Sequence, residues 1–559
     1  MLVSRITDGD AYDLIVVGGG SAGCAMAARL SEREDLSVLL LEAGRSDKHP
    51  FTRVPAANVN AVLNPEFDWC FPVEPDASIG GRADTWPAAK VLGGGSAING
   101  MMFIRGHRHD YDSWHDLGAT GWNYQSVLPY FRRMETNERG ADAYRGGEGP
   151  LSVSEGRARY PLTDAWIEAA VQAGVPRSPD LNGGLAEGVD FVQVSQRKGM
   201  RHSTAVAYIW PNLNRASLTL QLHSRVNRII VENRRATGVE ITGEDGTIRR
   251  ISARRGVVVC AGTMNSPRLL MLSGIGEAAQ LKASGIEVVH DLPGVGQNLQ
   301  DHPGTHLVNE AEGRTLNAEV QGLRGLGHLA SFLTARKGAL TTSIGHAQAF
   351  VRTNGAMAVP NIQLIFAPLA FDYGEDGKIR LRKSPSVSTA VALMRPRSRG
   401  RITLAGPDPA LPPLIRHELL GDPQDVDEMV DGIEFARRIM EQPAIAGAIT
   451  GEVRPALAPE HQTADRTAMR DYVRGAVSSF YHQIGTCKMG SDAMAVVDPE
   501  LKVRGLEGLW VADASVMPAM PSGNTNATAI MIGEKGSDHV LRAIGNRPSA
   551  SLNQEQGHP

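Results

Sequence analysis

The chain has 559 residues, of which 42% are apolar and 21% are charged, a composition that excludes a disordered protein or a coiled coil. Lys and Arg total 57 against 61 Asp and Glu, which gives a net charge of −4. Nucleic acid is therefore not expected as a partner, because binding a polyanion requires a concentrated basic surface. The length predicts more than one domain and leaves the oligomeric state open.

Cysteine usage and hydropathy indicate a protein of a reducing compartment. The cysteines are scattered and include no CxxC pair, which excludes a disulfide framework or a zinc site (Cys24, Cys70, Cys260 and Cys487). The N-terminus has no basic segment followed by an apolar run, and no apolar stretch approaches the ~18 residues of a membrane span. We expect a cytoplasmic protein with no integral membrane segment and no bound metal.

The first 42 residues predict a βαβ unit. Residues 12–17 are apolar and rich in β-branched side chains, which is typical of a strand, and the glycines 18–20 predict a turn. Residues 21–30 predict a helix, and residues 36–41 predict a second strand that ends at Glu42. Two strands joined through a helix lie parallel in one sheet.

Later segments extend this sheet. Residues 257–260 and 509–512 are continuous apolar runs, as expected of strands buried on both faces, and we expect them beside the first two strands. Residues 225–241 predict a hairpin with its turn near 233–235.

Two helices and a second lobe complete the predicted fold. Ser266 and Pro267 predict a helix start, because serine can cap a helix and proline fits its first turn. Another helix is expected from residue 524 to about 541. Residues 310–475 are rich in proline and predict an antiparallel sheet with helices. Within them, strands are expected at 361–366 and 387–394, and a helix at 425–440.

The glycine turn carries a dinucleotide-binding motif. Gly18, Gly20 and Gly23 give the pattern G-x-G-x-x-G: the first makes a tight turn, the second lets backbone approach a pyrophosphate, and the third lets helix and strand pack closely. The helix N-terminus offers N–H donors to phosphates. Glu42, at the end of the next strand, can accept hydrogen bonds from ribose hydroxyls. An unliganded glycine turn is the alternative, and the surrounding strand–helix–strand pattern argues against it.

Five further segments carry a family resemblance. They are residues 89–100 (AKVLGGGSAING), 262–276 (GTMNSPRLLMLSGIG), 293–302 (PGVGQNLQDH), 481–490 (YHQIGTCKMG) and 511–527 (VADASVMPAMPSGNTNA). In this order they resemble the signature segments of the glucose–methanol–choline (GMC) flavoprotein oxidoreductases, and the similarity extends from about 12 to 542. The nearest resemblance is to choline dehydrogenase-like and sorbose dehydrogenase-like members.

The resemblance implies an α/β fold in which a Rossmann-type FAD-binding domain is interleaved with an α+β substrate-binding domain on an antiparallel sheet. The FAD-binding domain is expected to comprise residues 1–155, 200–310 and 476–545, the substrate-binding domain 156–199 and 311–475, and a tail 546–559.

The resemblance also implies which residues bind FAD. The adenosine end is expected at Gly18, Gly20, Ser21, Ala22, Gly23, Glu42 and Ala43, with the Val226 backbone at the adenine. The flavin and pyrophosphate are expected along Leu92, Gly94, Ser96, Asn99 and Gly100, with further contacts from Ala261, Asp513, Ala514 and Asn526. In covalently flavinylated choline oxidases, a histidine stands immediately before the position of Asn99. Here that residue is Ile98, so we expect FAD to be bound non-covalently.

Alcohol oxidation requires a base beside the hydroxyl and a group that fixes its oxygen. His482 is the predicted base, since imidazole titrates near neutral pH, and the resemblance makes Asn524 its partner. The proton is expected to pass to His482 and the hydride to flavin N5. Asn526 is the alternative functional asparagine, and His302 and His346 are weaker candidates near the boundary between the lobes.

Other chemistry-bearing residues have simpler interpretations. His107, His109 and His115 lie among charged neighbours, which indicates a solvated loop or a helix start rather than a metal site. Cys487 is expected to be buried and inert, because nothing near it in the sequence would lower its pKa.

These observations predict FAD-dependent oxidation of a primary alcohol to an aldehyde, with electrons passed to O2, a quinone or another acceptor. The resemblance to dehydrogenases favours an acceptor other than oxygen. A neutral alcohol is expected rather than choline, because residues 310–400 hold few aromatic side chains for an ammonium cage. The alternatives are a redox-silent or light-driven relative, like a hydroxynitrile lyase or a photodecarboxylase, and a non-enzymatic FAD-binding scaffold.

Overall fold

A computed structural model describes residues 6–373, 379–456 and 466–545, so the predicted tail 546–559 lies outside the described residues. The described residues form two seven-stranded sheets with helices packed on them. The predicted α/β fold, with an antiparallel second sheet, is confirmed. No helix in these ranges is both long and apolar enough to cross a membrane.

The first sheet contains the predicted βαβ unit. In spatial order its strands are Leu218–Gln221, Val38–Leu41, Ala11–Val17, Ile248–Val259, Arg235–Thr242 and Arg225–Glu232, with Leu509–Val511 also paired to Ile248–Val259. Both later apolar runs therefore joined the sheet in parallel register with the first strands. The predicted hairpin is also present, and its turn residues Asn233 and Arg234 have φ of 49° and 62°.

The second sheet is antiparallel throughout. Its strands, in spatial order, are Ile449–Arg454, Pro303–Ala311, Ser386–Leu393, Ile362–Ala367, Ala347–Val351 and Gly188–Phe191, with Ser478–Ser479 paired to Pro303–Ala311. Helices Pro161–Gln172 and Pro423–Met440 cover one face and share its apolar core. The strand Pro303–Ala311 belongs to this sheet, although residues up to 310 were predicted to lie in the FAD-binding domain. The two-lobe division with its other boundaries stays a proposal.

The remaining elements connect and cover the two sheets. Further helices are Ser21–Leu30, Pro50–Arg53, Gly95–Ile98, Arg108–Asp116, Tyr124–Met134, Gly262–Leu272, Ala278–Ala283, Leu316–Glu319, Gly322–Ala335, Pro443–Ala446, Thr467–Ala476 and Asn526–Ala543. Smaller strand groups are Phe71–Asp76 with Arg82–Trp86; Glu135–Asn137 with Leu151–Glu155 and Gln193–Val194; Gln196–Arg197 with Met200–Arg201; Ile275–Gly276 with His290–Asp291; Phe371–Tyr373 with Ile379–Leu381; and Arg401–Thr403 with Leu414–Arg416.

The predicted helix start at Ser266 was wrong. The helix begins at Gly262, so Pro267 lies inside it and cannot donate to the carbonyl of Thr263. The buried hydroxyl of Thr486 donates to that carbonyl instead, at 2.6 Å. The Ser266 hydroxyl donates to Asp513 Oδ2 at 2.5 Å rather than capping a helix. A partner distant in sequence therefore makes the internal proline tolerable.

Candidate active site

The parallel strands of the first sheet end at one edge, where the predicted cofactor residues follow them. Gly18 follows the strand Ala11–Val17, Glu42 follows Val38–Leu41, and Asp513 lies two positions after Leu509–Val511. Open parallel sheets bind their ligands beyond the carboxyl ends of their strands. The fold therefore brings these three predicted residues to one edge.

The three motif glycines differ in what surrounds them. Gly18 has φ of +104°, and a Cβ there would overlap the carbonyl of Cys260. A Cβ on Gly23 would overlap the carbonyl of Gly18. Packing therefore demands both glycines. At Gly20, by contrast, no atom lies nearer than 4.0 Å to an added Cβ, and the backbone is extended with φ of −79°. The described residues therefore leave room for a side chain at Gly20, and its bare backbone is open to an approaching ligand.

A second glycine loop closes over the first. The Gly93 N–H donates to the carbonyl of Gly19 at 2.7 Å, and a Cβ on Gly94 would lie 2.6 Å from Gly20 Cα. The helix Ser21–Leu30 begins here with no side-chain cap. Its first-turn N–H groups and these two bare loops form a cradle for an anionic, flat ligand.

Glu42 is buried beside this cradle. Its carboxylate accepts hydrogen bonds from the N–H of Gly19 (2.8 Å) and of Gly44 (2.7 Å). Burial raises the pKa of Glu42, and these donors oppose the rise. An open cleft of about 780 Å³ adjoins it, and Ala43, Gly44, His223 and Arg225 are among its lining residues. A nucleoside-sized group fits this cleft.

Two predicted cofactor residues use their side chains to shape the second loop. Ser96 donates to the Gly93 carbonyl at 2.5 Å. Asn99 Oδ1 accepts from the Met101 N–H (2.9 Å) and from Arg201 Nη1 (2.8 Å). Arg201 is fully buried, and the sequence analysis missed it because a lone arginine in a short hairpin carries no signal. Ser96 and Asn99 therefore hold the backbone of the loop in place.

Asp513 organises the backbone at the edge of the sheet. Its Oδ2 accepts from the N–H of Gly262 at 2.9 Å, and its Oδ1 accepts from the N–H of Ser515 at 2.8 Å. Asn526 Oδ1 accepts from the Ser21 hydroxyl at 2.7 Å, which links the C-terminal helix to the motif helix. Asp513 therefore orients the backbone N–H groups of two segments that meet at this edge.

His482 and Asn524 lie together in the second part of the site. The Asn524 amide Nδ2 is 3.0 Å from His482 Nε2, and His482 Nδ1 is 2.9 Å from His302 Nδ1. Burial lowers the pKa of His482 to about 4. Burial and the neighbouring His482 hold the pKa of His302 well below its ordinary value. Both imidazoles are therefore neutral at neutral pH.

The hydrogen bonds assign a tautomer to His482. An amide NH2 group only donates, so His482 Nε2 accepts from Asn524 and carries no proton. The proton of the neutral ring is then on Nδ1, and it is donated to His302 Nδ1. His482 consequently presents an unprotonated Nε2 beside an amide donor, which is the arrangement that a general base for a hydroxyl requires.

Asp301 accepts hydrogen bonds from the backbone of both histidines. Its Oδ1 accepts from the backbone N–H of His302 (2.8 Å) and of His482 (2.9 Å), and its Oδ2 accepts from Ser479 Oγ and from Gln483 Nε2 (3.0 Å). Burial raises the pKa of Asp301 to about 7, and these hydrogen bonds oppose the rise. The sequence analysis missed Asp301, although it directly precedes His302.

Comparisons with known proteins place this arrangement in a family. Residues 12–304 match the N-terminal profile of the family described as GMC oxidoreductase, and residues 396–533 match its C-terminal profile. The chain belongs to the GMC oxidoreductase family. It is 42% identical over 548 residues to an "Oxygen-dependent choline dehydrogenase" of Brucella suis biovar 1 (strain 1330), covering 97% of each chain.

Solved structures of GMC oxidoreductase type share the fold. Pyridoxine 4-oxidase from Mesorbium loti is 30% identical, with a TM-score of 0.84 over 94% of this chain and 98% of that one. A fungal aryl-alcohol oxidase is 27% identical, with a TM-score of 0.82 over 95% and 99% of the two chains. These likenesses support an FAD-dependent alcohol oxidoreductase.

GMC oxidoreductases bind FAD, and the cradle fits this cofactor. Among the described residues, an added Cβ would meet nothing nearer than 4.0 Å at Gly20 and nothing within 4 Å at Gly95, which leaves bare backbone for a pyrophosphate and a flat ring. Other predicted contacts lie on the segments already described: Ala22, Leu92, Gly100, Ala261 and Ala514. Val226 lies in the strand Arg225–Glu232, next to a residue that lines the cleft. Which of these atoms touch FAD stays a prediction.

The other candidate residues have local roles or surroundings of their own. His107 caps the helix Arg108–Asp116, as the helix-start interpretation predicted. In the described ranges no group of His, Cys, Asp and Glu could hold a metal ion. His346 Nε2 forms a hydrogen bond with Thr342 Oγ1 at 2.6 Å, and its ring packs against Tyr160. Cys487 is buried, and burial raises its pKa well above the ordinary value.

Proposed function

We propose that this GMC oxidoreductase oxidises a primary alcohol to the aldehyde, with His482 accepting the hydroxyl proton. The observation that supports this most strongly is the unprotonated His482 Nε2 beside the Asn524 amide, in a buried site. The bound FAD supplies a hydride acceptor at its N5 atom.

The chain's own residues have separate roles in this proposal. Asn524 Nδ2 donates to the substrate oxygen and fixes it next to His482 Nε2. His482 takes the proton as the C–H bond breaks, and its Nδ1–H remains bonded to His302 Nδ1. Asp301 fixes the backbone of both histidines, so that neither imidazole moves when the charge appears.

We propose a neutral alcohol rather than choline as the substrate, although the Brucella relative is named for choline. A quaternary ammonium group is best held by a free carboxylate and an aromatic cage. Asp301 is committed to hydrogen bonds within the protein. Phe366 is fully buried in the apolar core of the second sheet, where it cannot form part of a cage.

We further propose that FAD is bound non-covalently. The side chain of Ile98 is buried against Ala61, Phe67, Val91 and Ala97, and an alkyl group has no atom that can bond the flavin. Denaturation in acid should therefore release all the flavin into the supernatant. Flavin that precipitates with the protein would contradict this.

The test of the proposed function is anaerobic mixing of the purified holoenzyme with a panel of primary alcohols that includes choline. We expect a neutral alcohol to bleach the flavin absorbance and choline to leave it unchanged. Rapid return of colour in air would identify O2 as the acceptor, and persistent bleaching would indicate a quinone or another acceptor. If no alcohol bleaches the flavin, the oxidation proposal fails, and lyase and light-driven assays are the next measurements.

A further inference from the structure

An ion pair between Asp110 and Arg395 lies next to the segment that carries Asn524. Asp110 belongs to the helix Arg108–Asp116, and Arg395 follows the strand Ser386–Leu393 of the second sheet. Arg395 Nη2 donates to Asp110 Oδ1 at 2.6 Å. The side chain of Asp110 is fully buried, and that of Arg395 is 26% exposed. The pair therefore ties a helix to the end of a strand that is distant in sequence.

Both charged side chains bind Ser522, which lies two positions before Asn524. Asp110 Oδ2 accepts from the Ser522 N–H at 2.7 Å, and Asp110 Oδ1 accepts from the Ser522 hydroxyl at 3.1 Å. The same hydroxyl accepts from Arg395 Nη2 at 2.8 Å. Hydrogen bonds to ionised groups are shorter and stronger than those between neutral groups. The ion pair therefore fixes the backbone and the side chain of Ser522.

The residue between Ser522 and Asn524 is also held in place. The Gly523 N–H donates to Met394 Sδ at 3.0 Å, and a Cβ on Gly523 would lie 2.8 Å from Ile104 Cγ2. The Asn524 side chain, in contrast, has few contacts of its own, because its Oδ1 has no hydrogen-bond partner among the described residues. The direction of its Nδ2 group therefore depends on where the preceding backbone places it.

We propose that Asp110, held by Arg395, is a positioning residue that fixes the Asn524 amide against His482 Nε2. This inference rests on the proposed function, in which Asn524 Nδ2 fixes the substrate oxygen beside the base. Asn524 Nδ2 lies 3.0 Å from His482 Nε2, so a displacement of about 1 Å would break the hydrogen bond. A misplacement of about 1 Å in an active site can cost on the order of 100-fold in rate.

Asp13 offers a matched control with the same chemistry far from the carboxyl ends of the strands. Its Oδ2 accepts from the Ser37 N–H at 2.9 Å and from the Ser37 hydroxyl at 2.8 Å, and Arg255 Nε lies 3.6 Å from its Oδ1. Asp13 lies near the amino end of the strand Ala11–Val17, whose other end leads to Gly18. Asp13→Asn therefore removes the same charge from a similar set of contacts at the opposite edge of the first sheet.

Anaerobic stopped-flow reduction of the holoenzyme by the best alcohol of the panel measures the effect on the reaction. In Asp110→Asn and in Arg395→Met, we expect the limiting rate of flavin reduction to fall on the order of 10- to 100-fold. The flavin content and the alcohol concentration at half-maximal rate should change little, and Asp13→Asn should react like the wild type. In the Asn524→Ala background, Asp110→Asn should slow reduction no further, because the amide that Asp110 positions is already absent.

The crystal structure of the Asp110→Asn holoenzyme tests the positioning without the reaction. We expect Asn524 Nδ2 to lie beyond hydrogen-bonding distance of His482 Nε2, with the contact between His482 and His302 retained. If Asp110→Asn does not retain flavin, the partly exposed Arg395 supplies both readouts through Arg395→Met.

Three results overturn the proposal: an unchanged Asn524 position in the variant structure, a wild-type rate in Asp110→Asn, and a slowing in the Asn524→Ala background as large as in the wild type. If no alcohol reduces the wild type, the proposed function fails, and the position of Asn524 in the crystal structure alone decides whether Asp110 positions it.

Discussion

The Nδ1 atoms of His302 and His482 lie 2.9 Å apart, and one proton lies between them. Asn524 Nδ2 donates a hydrogen bond to the other ring nitrogen of His482, Nε2. Carbonyl groups of Met394 and Pro521 also act on His302 and oppose the lowering of its pKa, as acceptors near a ring N–H do. His302 therefore accepts at Nδ1 and carries its own proton on Nε2, which keeps His482 Nε2 unprotonated, as a base requires.

Changing His302 should affect the base through this shared proton. In His302→Asn the amide oxygen can accept from His482 Nδ1, so flavin reduction should stay near the wild-type rate. In His302→Leu the acceptor is lost and the unreactive tautomer becomes accessible, so reduction should slow at least about ten-fold. Stopped-flow reduction by alcohol measures both, with KM and flavin content as controls for a merely structural effect. Equal rates in the two variants would contradict the role assigned to His302.

The residue at position 524 should determine the pH at which the rate of flavin reduction falls on the acid side. Burial lowers the pKa of His482 to about 4, so the rate of flavin reduction in the wild type should fall only as the pH drops towards that value. In Asn524→Asp a carboxylate faces Nε2, stabilises the imidazolium and raises the His482 pKa. The acid limb should then move to higher pH, because the base is lost where the ring is protonated. An unchanged limb in Asn524→Asp, measured as reduction rate against pH, would contradict this contact.

Gly20 should matter for FAD and not for folding. A methyl group at Gly20 meets no protein atom nearer than 4.0 Å but occupies space expected for the pyrophosphate. Gly20→Ala should therefore leave the melting temperature of the apoprotein unchanged and lower the bound flavin. Gly451→Ala, in an exposed strand with nothing within 4 Å, is the control and should retain flavin. Full flavin content in Gly20→Ala would show that the ligand does not approach this backbone.

Thr486 should stabilise the helix that contains Pro267. Thr486→Val leaves the buried carbonyl of Thr263 without its donor, and the free energy of unfolding should fall by about 1–3 kcal/mol. Thr389 is the matched control, because it is also buried and its hydroxyl has no hydrogen-bond partner among the described residues. Thr389→Val should cost far less. Denaturant titration measures the free energy of unfolding of both variants. Equal stability of the two variants would contradict the stabilising role of the hydrogen bond from Thr486 to Thr263.

Local pattern predicted much of the first sheet, whereas the pairing of His482 with Asn524 was predicted from the family resemblance. The apolar runs at 12–17, 257–260 and 509–512 are buried on both faces, and strands of that kind carry a strong signal. Asn524 was found through the family resemblance and not through chemistry visible in the sequence.

The errors and omissions have a common cause, which is contact over long sequence separation. Pro267 lies inside a helix because Thr486 supplies a donor to Thr263, 223 positions away. Arg201 shapes the loop at Asn99 from 102 positions away. Asp301 acts on His482 from 181 positions away. Periodicity and capping rules describe neighbours in sequence, so they cannot predict such partners.

The most direct test of the account is the anaerobic rate of flavin reduction in His482→Ala against wild type, with the best alcohol from the panel. Removing a positioned general base costs about 10²–10⁴ in rate, so reduction should slow by that factor while flavin content stays at the wild-type level. Deuterium on the carbinol carbon should slow the wild type as well, because the C–H bond breaks in the same process. Reduction of His482→Ala at the wild-type rate would show that the hydroxyl proton leaves by another route.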